Sequence, residues 1–153
     1  MQAAGVPQIL DFQTWFFLRW NENASTPDCG EDSGILGCGG ALNMLCARNI
    51  TGDGDWQRWW TFESCLMNNQ SVIPANAPEC AARARIDATA LAGCVAGPTG
   101  KALLRESASK TAEAQVGFTP WLIVDGKMAT QLDDLKLVCD AYDGHPAPSG
   151  CPQ

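Results

Sequence analysis

Eight cysteines, scattered singly along 153 residues, restrict this chain more than any other feature. They are Cys29, Cys38, Cys46, Cys65, Cys80, Cys94, Cys139 and Cys151. A zinc site needs close ligand pairs. The shortest gaps here are eight intervening residues (Cys29 to Cys38) and seven (Cys38 to Cys46), with His145 the single histidine. The set therefore reads as a disulfide framework, formed in an oxidising, non-cytosolic compartment such as a secretory, lysosomal or other organelle lumen. No metal or other cofactor is expected. Cys139 and Cys151 flank a Gly- and Pro-containing stretch and are expected to pair. Cys65 and Cys80 bracket a turn-rich connection and form a second expected pair, while the connectivity of Cys29, Cys38, Cys46 and Cys94 stays open.

The composition suits one globular domain, with 46% hydrophobic and 18% charged residues. A net charge of −7 without a basic stripe argues against nucleic acid as a partner, because phosphates would repel such a surface. No stretch reaches the length of a membrane span. The first residues lack the basic and apolar regions of a signal peptide, so a targeting segment has been removed already or the chain is a partial one. Three acceptor patterns, Asn23-Ala-Ser25, Asn49-Ile-Thr51 and Asn69-Gln-Ser71, agree with a lumenal glycoprotein.

Along the chain, Ile9 to Trp20 is dense in aromatic and aliphatic residues and fits a strand followed by a helical turn, two forms that periodicity does not separate here. Asn21 to Gly37 reads as a loop. Gly39 to Arg48 is helical, with Leu42, Leu45 and Cys46 on one face. Trp56 to Met67 is a second helix, Ala81 to Ala92 is short and alanine-rich, and Gly100 to Ala114 is a helix by propensity. Phe118 to Val124 has the β-branched, apolar character of a buried strand, and Asp125-Gly126 is a hairpin signal. Gln131 to Tyr142 carries Leu132, Leu135, Leu137, Val138 and Tyr142 at helical spacing.

Several of these pieces occur together in a known family. Cys94-Val-Ala-Gly-Pro-Thr-Gly100 with Leu103-Leu104, Thr111, Phe118-Thr-Pro-Trp-Leu-Ile-Val-Asp-Gly126, Leu137-Val-Cys139 and the late Cys151 resemble the gamma-interferon-inducible lysosomal thiol reductase (GILT) family. Cys29, Cys38 and Cys46 resemble its central cysteine cluster, with Cys29-Gly-Glu-Asp32 where the family has Cys-Gln-His-Gly. The resemblance spans Cys29 to Cys151. It implies an α/β, thioredoxin-like fold with a disulfide-rich helical insertion at about 38–96. The domain would cover 29–153, preceded by an aromatic-rich segment over 1–28. It also implies that Thr119-Pro120 resembles the cis-proline facing the dithiol in thioredoxin-like folds, beside Trp121. The chain departs from the family upstream: no cysteine precedes Cys29, so the strand and active-site helix carrying the Cys-x-x-Cys look missing or replaced.

Dithiol exchange needs a low-pKa thiolate with a resolving cysteine close by, a spacing that none of the eight offers. No catalytic residue is assigned. His145 sits in a Gly-His-Pro turn without a nucleophile, and Glu31, Asp32, Asp53, Asp55, Asp133 and Asp134 lie in loops or at helix starts, where solvation suffices. Two readings follow. The first is a degenerate, non-catalytic domain serving as a structural or interaction subunit. The second is a thiol reductase whose Cys-x-x-Cys segment is absent from this chain. The first expects other protein subunits as partners, contacted through Trp15, Phe16, Phe17 and Trp20. The adjacent pairs Trp59-Trp60 and Phe16-Phe17 cannot all face one core.

Overall fold

The computed structural model describes residues 5–23, 25–28, 38–129 and 134–152. Helices dominate, with six α-helices and two separate two-stranded antiparallel sheets among the described residues. The chain divides into two compact units, one of Phe12–Val116 and one of Met1–Asp11 with Gly117–Gln153.

The larger unit is built around α1 (Cys38–Thr51), which packs against α2 (Trp56–Met67), α4 (Ala88–Ala96) and α5 (Pro98–Glu113). Neighbours on several sides explain why Ala41 and every residue from Asn43 to Arg48 is buried. Leu42, expected on the buried face, is only half-buried. Gly52 and a 3-10 turn at Asp53–Asp55 end this run, and α2 starts at Trp56. Its buried residues Trp56, Trp59, Phe62 and Leu66 recur at helical spacing. The short alanine-rich stretch 81–92 spans parts of two helices, α3 (Ala77–Arg83) and α4. They are separated by a Schellman turn in which Ile86 N–H reaches Ala81 O and Arg85, at φ 56°, donates to Ala82 O. Asp87 then caps α4 by accepting from the Ala90 N–H at 2.8 Å.

Two disulfides between described residues cross this unit. Cys46–Cys94 ties α1 to α4, and Cys65–Cys80 ties α2 to α3, the latter a pair expected from sequence. Gly100 lies where α5 passes the end of α4: a Cβ there would come within 2.6 Å of Cys94 O and 2.7 Å of Leu42 Cδ1. A short hairpin of β1 (Arg19–Asn21) and β2 (Thr26–Asp28) pairs Trp20 with Pro27 and contacts α5. It occupies the start of the stretch expected to be a loop. Ile9 to Trp20 is neither strand nor helical turn over most of its length: a 3-10 turn at Val6–Ile9 leads into it, segment 10–18 has no regular structure, and β1 follows.

The smaller unit holds a hairpin of β3 (Ile123–Val124) and β4 (Lys127–Met128), followed by α6 (Asp134–Ala141), which packs on β3. Asp125 and Gly126 both have positive φ, 47° and 73°, as a type I′ turn requires. The Thr119–Pro120 bond is cis. Cys139–Cys151 anchors the tail to α6, as expected. The buried strand expected over Phe118 to Val124 is not there. Only Ile123–Val124 is strand, Ile123 is 47% exposed and Phe118 60% exposed. Each strand pairs only with the other among the described residues, and a two-stranded ribbon alone cannot enclose its apolar side chains. The helix expected from Gln131 to Tyr142 is described as Asp134–Ala141, and Leu132 lies outside the described residues.

Candidate functional site

Residues Phe12–Leu18 form a strap across the helical unit, and each anchor has a definable partner. Phe12 inserts among three tryptophans of α2. Its ring stacks on Trp59 at 5.4 Å and meets Trp56 and Trp60 edge-on at 5.7 and 5.3 Å. The Trp15 ring lies under the Arg48 guanidinium at 3.9 Å. Arg48 itself is buried, and its Nη1 donates to the Thr14 carbonyl at 2.6 Å. Ser107 of α5 holds the next stretch of main chain from both sides. Its hydroxyl accepts from the Phe16 N–H at 2.8 Å and donates to the Phe16 carbonyl at 3.0 Å. Leu18 closes the strap as a buried side chain.

The aromatic residues expected to meet a partner are thus unequal. Trp15, Phe16 and Trp20 are half-buried within the chain itself, Trp20 with the Arg105 guanidinium 5.8 Å from its ring. Phe17 points outward, 49% exposed. Of the pair on α2, Trp59 is buried and Trp60 exposed, the split their adjacency requires. Thr119, Pro120 and Trp121 fall in the smaller unit. Thr119 and Pro120 are exposed, and half-buried Trp121 tilts against Phe118 at 4.9 Å. The aromatic strap and the Thr-Pro segment therefore belong to different units.

Every described cysteine is in a disulfide. Cys46–Cys94, Cys65–Cys80 and Cys139–Cys151 join residues 48, 15 and 12 apart, and Cys38 is also bonded. Cys29 lies outside the described residues, as do Glu31, Asp32 and Asp133 and the side chains of Asp53 and Asp134. Asp55 forms an exposed pair with Arg58 at 3.3 Å, and His145 is exposed. Asn23, Asn49 and Asn69 are all exposed. Asn49 stands on the last turn of α1, not in a loop, and Thr51 of its acceptor pattern donates to Ala47 O and Arg48 O.

The most perturbed acid is one that the sequence reading passed over. Glu63 of α2 is largely enclosed, and its Oε2 accepts from the Thr14 hydroxyl at 3.5 Å. Burial pushes its carboxyl from the ordinary 4.5 up to about 7, against the lowering pull of the Thr14 hydrogen bond and the Arg48 charge. The signal was present: Glu63 is four residues after Trp59 and seven after Trp56, on the apolar stripe of its own helix. Ser107 is likewise set between Leu103, Leu104 and Thr111 on the buried face of α5.

Beside the strap a cleft of about 400 Å³ opens between Gln13, Trp15, Arg48, Asn49, Leu103 and Lys110. It is mostly polar-lined, with no described group of three or more His, Cys, Asp or Glu placed to hold a metal. No described helix is long and apolar enough to cross a membrane. No protein-family profile and no curated protein matches the chain.

Proposed function

We propose that this chain is a non-catalytic, disulfide-stabilised domain of the GILT kind, with a thioredoxin-like ancestry, acting as a structural or interaction subunit in an oxidising lumen. The observation that carries the proposal is the use of its cysteines. Cys46–Cys94, Cys65–Cys80 and Cys139–Cys151 each staple two separate elements, or an element to the tail, across a dozen residues or more. A redox centre needs the opposite: two sulfurs close in sequence, one of them exposed as a thiolate at a helix start. The final hairpin and helix after Thr119-Pro120 follow the order in which thioredoxin-like domains end, which supports the fold reading. Three exposed acceptor asparagines support the lumenal one.

The subunit role draws on exposed apolar side chains. Ile123 and Met128, cross-strand partners on the hairpin, are exposed, and so is Phe118 in the segment before it. Exposed apolar side chains that lie together cost solubility unless something covers them.

The test is made on the chain purified without reductant. Alkylation under native conditions is expected to label no cysteine, and insulin disulfides are expected to stay intact. Rapid labelling of one cysteine together with insulin reduction overturns the non-catalytic reading. A stable monomer at micromolar concentration, with a single sharp melt, overturns the obligate-subunit role.

A further inference from the structure

The strap and the helices beneath it are held by different means. Helices α1 and α4, and α2 and α3, are joined covalently by Cys46–Cys94 and Cys65–Cys80. The strap has no covalent tie within Phe12–Leu18. It is fixed by the Phe12 ring among the tryptophans, by Arg48 on the Thr14 carbonyl, by Ser107 on Phe16, and by the Thr14–Glu63 contact. If the Glu63 carboxylate must be hydrated, the strap is the cover that can move, because separating stapled helices disrupts far more of the core.

We propose that Glu63 and Thr14 form a proton-dependent latch that keeps the strap closed over the helical unit in mildly acidic solution and releases it as the pH rises towards neutrality.

The charges around Glu63 leave it as the group that decides. From α1 the facing charge is Arg48, which is already engaged with the Thr14 carbonyl and the Trp15 ring. The strap contributes the Thr14 hydroxyl. On α3, Glu79 and Arg83 pair with each other at 2.6 Å, both well exposed. At the 3-10 turn preceding α2, Asp55 pairs with Arg58 in solvent. One cation therefore faces the acid, and it does not offset the loss of water, so the closed state prefers the neutral acid.

The sign follows from the direction of the shift. The closed state binds the proton more tightly than the opened one, where Glu63 regains an ordinary value near 4.5. Closure is strongest below that ordinary value, weakens as the pH climbs through the interval up to about 7, and stays at its weakest above it. Released, the strap uncovers the Trp56, Trp59 and Trp60 rings.

Amide hydrogen exchange read by mass spectrometry at about pH 5 and about pH 8, corrected for the intrinsic chemical rate, tests the latch on the full chain. Strap opening is expected to rise by about tenfold or more between the two, while amides of α1 stay protected. Glu63→Gln, neutral at both values, is expected to keep the strap closed and remove the dependence. A wild-type strap equally protected at both pH values, or a Glu63→Gln chain with the wild-type dependence, overturns the proposal. Should Glu63→Gln fail to fold, carbon NMR of the wild-type carboxyl decides: titration near neutrality supports the latch, and an ordinary carboxylate titration overturns it. Neither readout depends on whether the domain has a thioredoxin-like ancestry or a partner.

Discussion

The two units of this chain use the same kinds of residue to opposite effect. In Phe12–Val116, Trp59, Phe62, Leu45 and Leu66 are essentially inaccessible, and of the described large apolar side chains only a few, such as Phe17, Trp60 and Val72, stand exposed. In the other unit Val6 is enclosed, but Phe118, Ile123 and Met128, at least as apolar, stand in solvent. The difference is not composition but the number of layers. Three helices packed on α1, with α3 against α2 and α4, supply a second surface for almost every stripe, whereas a two-stranded ribbon with one eight-residue helix supplies a single one. The disulfides follow the same division. In the helical unit Cys46–Cys94 spans 48 residues to join α1 to α4 and Cys65–Cys80 joins α2 to α3, and in the smaller unit one bond closes a loop of 12 residues. Most of the cooperative stability should therefore reside in the helical unit.

The largest expected effect sets one unit directly against the other. Phe62→Ala empties a fully enclosed site on α2 and is expected to cost about 3–5 kcal/mol, while Phe118→Ala should stay within about 0.5 kcal/mol. Urea titrations of the two variants check this, and equal losses would mean that the hairpin patch is covered in solution. Next comes the tail. Replacing Cys139 and Cys151 together by serine is expected to remove about 3 kcal/mol, in the chain-entropy view, from the smaller unit alone. Hydrogen exchange should show α6 losing protection while α1 to α5 keep theirs, and a collapse of both would show that the units fold as one.

The smallest effect sits at the end of the helical unit. Helix α5 closes in a Schellman turn, with Val116 N–H on Thr111 O and Gln115 N–H on Ala112 O, and Gln115 sits at φ 52°. Only glycine takes that conformation without strain from a Cβ. Gln115→Gly is expected to stabilise the helical unit by up to about 1 kcal/mol, raising its melting midpoint slightly. A lower midpoint would mean that the Gln115 side chain makes contacts worth more than the strain.

What could be read in advance follows the range of the cause. Helix α2 could be placed at Trp56–Met67 because its stripe and the Gly-Asp breaker before it are local. So was the Asp125–Gly126 turn, whose residues must accept positive φ. The Cys65–Cys80 and Cys139–Cys151 bonds were readable because each closes a short, turn-rich stretch, whereas Cys46–Cys94 spans 48 residues and depends on how helices pack. The strap escaped because a segment held by single side chains from three helices has no period of its own. The exposure of Phe118 and Ile123 escaped for the complementary reason: burial is decided by what lies opposite a strand, and nothing in Phe118–Val124 encodes that. At the candidate site, Trp15, Phe16 and Phe17 were visible by type, but the acid that meets Thr14 was hidden as one more charged residue on a helix.

The Cys65–Cys80 ring lies wholly inside the ring closed by Cys46–Cys94. A peptide bond cut between Leu66 and Glu79 would leave both halves fastened at two points. One cut between Ala81 and Gly93 would leave them fastened at one, and one cut just after Gly97 would leave neither of these bonds spanning the break. Resistance to dismemberment is thus graded along the chain, independently of how well each segment is folded. A protease attacking the exposed turns after α2 or α3 would produce a nicked particle, and only reduction would separate its pieces.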